Sequence, residues 1–202
     1  MEPAMKGAPR SVTALATLLL ALASVAVQAT TPTDTVRQTV NAVISTLQQE
    51  LGEEQKRDQV FRLVADNFDF RVMAKRILAT NWRKASEEQR RRFIDLFTSL
   101  LTRTYWSRIR NYRDEKVEYR GERIRKDHYA RVDTEIVTAD KRIPITYRLL
   151  NRDGEWKAYD VIIEGVSLVQ NFRTSYQAII RKEGIEGLLA QMAVKNGEQG
   201  GT

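Results

Sequence analysis

The hydrophobic period of this chain changes twice, and that limits the folds open to it. From Val36 to Ile109 apolar residues recur at helical spacing, from Val117 to Ile163 they mostly alternate, and beyond Gly165 the helical spacing returns. Strands gathered in one block, with helices before and after, predict an α+β domain built on one antiparallel sheet. The 202 residues suffice for one such domain with a real core.

Pro32-Thr33-Asp34 offers N-cap chemistry, and Val36, Val40, Val43, Ile44, Leu47 and Leu51 follow on one face until Gly52. A second, short helix is expected around Val60, Phe61, Leu63 and Val64, and a third around Met73, Ala74, Ile77 and Leu78. Ser86-Glu87-Glu88-Gln89 is a capping box. It opens the longest expected helix, residues 87–112, with Phe93, Phe97, Leu100, Leu101, Tyr105 and Ile109 along one stripe. That helix would be about 39 Å long, enough to span the domain.

Val117 and Tyr119 begin the alternating block. Ala130, Val132, Thr134 and Ile136 continue it, then Ile143, Ile145, Tyr147 and Leu149, then residues 155–164. The connections Lys126-Asp127-His128, Ala139-Asp140-Lys141 and Asp153-Gly154 are short, so a four-stranded antiparallel meander is expected. Pro144 lacks a ladder donor, which predicts an edge strand or a bulge there. Val161-Ile162-Ile163 reads as a strand end covered on both faces. Gly165 then turns the chain into a helix expected to point Val166, Val169, Phe172, Tyr176, Ile179 and Ile180 inward. Gly184 interrupts it before a last helix with Ile185, Leu188, Leu189 and Met192. Residues 196–202 are Gly-rich and are expected to form a mobile tail after a single domain at 30–195.

Residues 1–29 form a separate unit. Lys6 and Arg10 precede an apolar run of 16 residues, 12–27, and Val27-Gln28-Ala29 places small residues at −3 and −1 of a cleavage site. The run is shorter than the ~20 residues of a membrane span. A cleaved secretory signal peptide is expected, by the general rather than the twin-Arg route. The absence of Cys fits a bacterial periplasm better than the exterior of a cell, where small proteins are usually stapled. The full chain has a net charge of +7, which becomes +6 when residues 1–29 take away two basic residues and one acidic one; in that compartment it points to anionic lipid or an acidic protein surface, not to nucleic acid.

Composition removes much of conventional catalysis. Without Cys there is no disulfide, thiolate site, cysteine nucleophile or acylated N-terminal Cys, and a single His128 rules out multi-His metal centres. His128 falls in a strand connection and reads as solvated. Asp133 and Glu135 are too few oxygens for Ca²⁺ and read as solvent-facing beside Arg131. No serine sits in a nucleophile elbow and no glycine loop cradles phosphate. Asp160, at the end of an apolar strand, is expected to accept hydrogen bonds. The basic stretch 120–131 reads first as a solvated face and second as a docking patch for acidic partners or lipid head groups. For the aromatics Phe93, Phe97, Tyr105, Phe172 and Tyr176, core packing and pocket lining both remain open.

Several segments carry a resemblance. Phe68-Asp69-Phe70 is followed by Met73-Ala74, and Ala85-Ser86-Glu87-Glu88-Gln89 by Phe93 and Phe97; residues 101–105 and Tyr112 come next. The longest segment is Trp156-Lys157-Ala158-Tyr159-Asp160-Val161-Ile162-Ile163-Glu164-Gly165-Val166-Ser167-Leu168, and Gly184-Ile185-Glu186-Gly187-Leu188 closes the set. In this order they resemble the periplasmic phospholipid-binding proteins of the maintenance-of-lipid-asymmetry pathway, the MlaC or toluene-tolerance family. Between Met-Ala and the next aromatic, where the family has a glycine, this chain has Ala79-Thr80-Asn81 before Trp82. The departure bears on the local loop geometry.

The resemblance implies a monomeric, non-enzymatic periplasmic carrier without a cofactor, its cargo being a phospholipid. It implies a curved sheet wrapped by helices, similar to the nuclear-transport-factor roll. The implied partners are an outer-membrane lipoprotein–porin complex and an inner-membrane ABC transporter, reached through its MCE-domain subunit. Exposing about 30 methylenes of two C16 chains costs on the order of 25 kcal/mol, so lipid crossing the periplasm needs a cover. The expected lining from the sheet is Ile143, Ile145, Tyr147 and Leu149. From the helices and their approach it is Phe97, Leu101, Tyr105, Val166, Val169 and Phe172. Two other readings remain: a cavity enzyme using Asp160 with Tyr147 or Tyr159, and a ligand-free adaptor with a solid aromatic core.

Overall fold

A computed structural model describes residues 30–112 and 115–197. The expected signal peptide, residues 1–29, and the end of the expected tail lie outside the described residues.

Helix α1 (Pro32–Gln48) starts one residue before the expected cap: Thr31 Oγ1 accepts from the Asp34 amide at 3.1 Å, with Pro32 just inside. Helix α2 (Glu53–Asn67) is longer than the apolar cluster suggests. Helix α3 (Phe70–Leu78) is capped by Asp69, which accepts from the Val72 amide at 2.8 Å; its Met73, Ala74, Ile77 and Leu78 are fully buried. A four-residue helix, α4 (Asn81–Lys84), follows, too short to show a period. Helix α5 (Glu87–Ile109) carries the capping box as expected, with Ser86 and Gln89 exchanging hydrogen bonds at 3.1 and 2.8 Å.

The sheet is an antiparallel meander of β1 (Lys116–Arg125), β2 (Tyr129–Val137), β3 (Arg142–Arg152) and β4 (Glu155–Ile163), extended by a fifth strand, β5 (Val166–Ser167). The two-residue β5 takes Val166 out of the helix in which it was expected. Pro144 is not on an edge strand, since β3 lies between β2 and β4, and the bulge of β3 and β4 falls at Arg148/Leu149. The sheet tolerates it because Pro144 O accepts from Glu164 N at 3.0 Å, just past the end of β4. The N and O of a strand residue point the same way, so the missing N–H faces a neighbour strand that has already ended.

Helix α6 (Leu168–Lys195) breaks at Gly184, whose φ of 72° and ψ of −176° belong to glycine alone. A side chain at Gly187 would collide with Cβ of Glu183. The helix ends on Asn196, where the mobile tail was expected to begin. That residue is instead buried, its amide donating to Leu96 O at 2.9 Å while its own carbonyl accepts from Arg103.

The core has two parts. One lies among α3, α5 and α6, with Phe93 stacked on Phe97 at 5.9 Å, and Phe172 and Tyr176 set edge-on to them at 5.1 and 6.0 Å. The other lies between α1 and the sheet: Val36 against Ala130, Val132, Leu149, Trp156 and Ala158. Phe68 packs against both, fixed by an Asp69 N to Ala158 O bond of 2.8 Å.

Candidate functional site

Strand register puts Val117 and Tyr119, Ala130 to Ile136, Ile143 to Leu149, and Trp156, Ala158, Val161 and Ile163 on one sheet face at alternate positions. One end of that face is sealed by α1. At the other end the row Val117–Ile136–Ile143, with Ile163 beside it, is only half-buried although it is apolar and faces inward. Helix α5 repeats the pattern. Phe93, Leu96 and Phe97 are buried against α3 and α6, whereas Leu101, Tyr105 and Ile109 on the same stripe are half-buried. Six residues join Ile109 to Lys116, so the distal end of α5 lies within about 24 Å of the Val117 row.

The tyrosines of this region are neutral. Burial pushes the Tyr147 phenol far above its ordinary range, with Tyr119 beside it adding to the shift. Burial likewise raises Tyr105 and Tyr119, opposed in part by Arg108 and by Arg37, whose guanidinium lies 4.3 Å from the Tyr119 ring centre. The Tyr119 hydroxyl is buried without a hydrogen-bond partner among the described residues.

The ten expected lining residues separate. Phe97, Leu101, Val169 and Phe172 belong to the helical core, Phe97 as a fully buried member of its aromatic stack. Leu149 and Tyr147 belong to the α1–sheet core, Ile145 is buried beside it, and Ile143 and Tyr105 stand on the half-covered surfaces. Val166 does not face inward: it sits on the edge strand β5 and is 57 % exposed. The half-covered row also contains Val117, Ile136 and Ile163, which the lining omitted. Their signal was the cross-strand register, which puts Ile136 opposite Ile143, Ile163 opposite Ile145, and Val117 opposite Ile136.

Asp160 is 2 % exposed and both its oxygens are engaged. Val169 N–H donates to Oδ1 at 3.1 Å; Ser167 Oγ and Arg148 Nη1 donate to Oδ2 at 2.7 and 3.3 Å. The carboxylate therefore fastens the start of α6 to β4. It lines a polar recess of about 250 Å³ with Arg76, Ala79, Arg148, Tyr159, Ser167, Val169, Gln170 and Arg173. His128 is exposed in its turn. On the outer face Arg120 and Arg142 converge on Glu118 and Glu135, and Arg131 pairs with Asp133 at 2.8 Å, so the basic stretch is partly neutralised in place.

The family model described as MlaC protein matches residues 36–194. The chain is 24 % identical over 177 residues to the intermembrane phospholipid transport system binding protein MlaC of Haemophilus influenzae, covering 83 % of each chain. It is 25 % identical over 177 residues to the toluene tolerance protein ttg2D of Pseudomonas putida, covering 84 % of this chain and 82 % of that one. A similar fold occurs in the phospholipid-binding protein from Ralstonia solanacearum, solved in complex with a phospholipid. The TM-score is 0.76 at 24 % identity, over 81 % of this chain and 96 % of that one.

Proposed function

Since the chain belongs to the MlaC family, we propose that it carries phospholipid, burying the acyl chains against the half-covered apolar surfaces of the sheet and of α5. The observation that carries this reading is the loss of coverage along two inward apolar stripes, at Ile136 and Ile143 on the sheet and, beyond Leu101, at Tyr105 and Ile109 on α5. Contiguous apolar surface left open in a folded chain marks a place that a partner, a membrane or a ligand covers, and in this reading the cover is the acyl chains of the lipid. The neutral phenols of Tyr105, Tyr119 and Tyr147 suit such a lining, because no charge has to be desolvated against the chains.

In this reading residues 1–29 are removed on export and the carrier works in the periplasm. It exchanges lipid between an outer-membrane lipoprotein–porin complex and the MCE-domain subunit of an inner-membrane ABC transporter, and so maintains outer-membrane asymmetry. Nothing favours the cavity-enzyme reading, since the carboxylate it would use, Asp160, is spent on holding α6.

Organic extraction of the purified protein, followed by mass spectrometry, tests the proposal. Stoichiometric phospholipid is expected in the wild type. Tyr105→Arg and Ile143→Arg, each placing a charge on a half-buried apolar position, should lower it about tenfold or more while the thermal transition persists. A wild-type protein that yields no lipid, or variants that keep all of it, would overturn the proposal.

A further inference from the structure

The geometry points to a separate polar site: the recess bounded by Arg76, Arg148 and Arg173 takes a phosphate group, presented as a mono- or diester. Three guanidiniums, from α3, β3 and α6, open on this recess together with one carboxylate, Asp160. That carboxylate answers Arg148 and is otherwise occupied by Ser167 and the Val169 amide. Arg76 has the Tyr159 ring 4.2 Å from its Cζ, which orients the guanidinium without neutralising it. Arg173 has no anionic partner among the described residues. Two positive charges are therefore left over at the recess, close to the charge of a phosphate monoester at neutral pH.

The sheet adds to the surplus. Register places Arg123, Arg131 and Arg148 directly opposite one another across β1, β2 and β3 on the outer face, in line with Asp160 on β4. Like charges in direct cross-strand opposition destabilise a sheet; among the described residues Arg131 and Arg148 each pair with a carboxylate, and Arg123 shares the Asp133 carboxylate only through its longer-range field. A bound anion at the end of the row relieves this repulsion. The planar fork of each arginine matches the oxygens of a phosphate, and Ser167 and Gln170 add polar groups to the rim. At about 250 Å³ the recess falls below the ~300–1,000 Å³ of ordinary ligand pockets; it suits a head group and not two acyl chains. Because it lies on the outer side of the sheet, the site stands independently of the carrier reading.

The test titrates inorganic phosphate and sn-glycerol 3-phosphate into the purified, delipidated protein, followed by phosphorus NMR line broadening against a chloride control of equal ionic strength. Arg76→Gln and Arg173→Gln are the variants of choice; Arg148 is left intact because its loss would strand the buried Asp160. Binding is expected in the wild type, weakened about tenfold by each substitution, as for loss of one charge-assisted hydrogen bond, and abolished by both together. The melting temperature should stay unchanged. No broadening beyond the control, or wild-type binding by the double variant, overturns the site. Repeating the titration on lipid-loaded protein identifies the source of the phosphate. Exclusion assigns the site to the head group of the carried lipid, continued binding to phosphate from elsewhere, and either result upholds the site. Phospholipid content measured on the same samples reports on the carrier reading separately.

Discussion

Ala79 holds φ 52° and ψ −120°, the backbone of the first central position of a type II′ turn, where glycine is the favoured residue. It lies in the loop where the resemblance puts a glycine, and Ala79 is the residue of that loop whose backbone favours having no side chain. An alanine in this conformation costs roughly 1–2 kcal/mol, of which a glycine returns about 0.5–1 through its freer unfolded chain. Ala79→Gly is therefore expected to raise the melting temperature by about 1–3 °C, and Ala79→Val to lower it. A lower transition for the glycine variant in differential scanning calorimetry would contradict this account. Asp160 shows another residue-level lesson: an acid in an apolar strand reads from sequence as either catalytic or structural, and three donors at hydrogen-bond distance decide for the structural role.

Among the elements, the sheet has its own pH signature. Hydrogen bonds from Arg120 and then Arg142 hold the Glu135 carboxyl below the usual value of 4.5. For Asp133 burial works in the opposite direction, but hydrogen bonds from Thr146 and Arg131 outweigh it. A depressed folded value means that the native state binds fewer protons than the unfolded chain. The stabilisation is thus complete above about pH 5 and is lost as the pH falls through the folded value. Glu135→Gln should melt below wild type at about pH 7, with the gap closing by about pH 3; a gap independent of pH would show that the arginine cluster contributes nothing. Much at this scale was legible in the sequence. The fully buried α3 residues and the four long strands follow from their periods, and the α5 start follows from its capping box. What was not legible lacked a period or had remote causes. Strand β5 has two residues, too few to show a period, so Val166 reads as part of the helix that follows it. Asn196 looks like tail by composition, yet its partners Leu96 and Arg103 are on α5, about a hundred positions earlier. No sequence pattern links Arg76 and Arg173 to Arg148, because only the packing of α3 and α6 brings them to the same recess.

At the scale of the whole molecule, the two cores explain how a chain can be well folded and still leave apolar surface open. Each core is complete in itself, the helical one through its interlocked aromatics and the sheet one through α1, and Phe68 links them. Stability therefore does not require the far row Val117–Ile136–Ile143 or the distal stripe of α5 to be covered by the chain. A ligand that covers them binds the native state alone and must stabilise it by mass action, by about 2.7 kcal/mol at a free concentration a hundred times its Kd. For a protein of this size that corresponds to about 5–10 °C in melting temperature. Delipidated protein is accordingly expected to melt that much lower than protein as purified, and to regain the difference on reloading from phospholipid vesicles. Because the fold does not depend on the cargo, the delipidated form should keep its far-UV circular dichroism and a cooperative transition. Equal melting temperatures with and without lipid would mean that acyl chains do not rest on these surfaces, and the half-covered stripes would need another occupant.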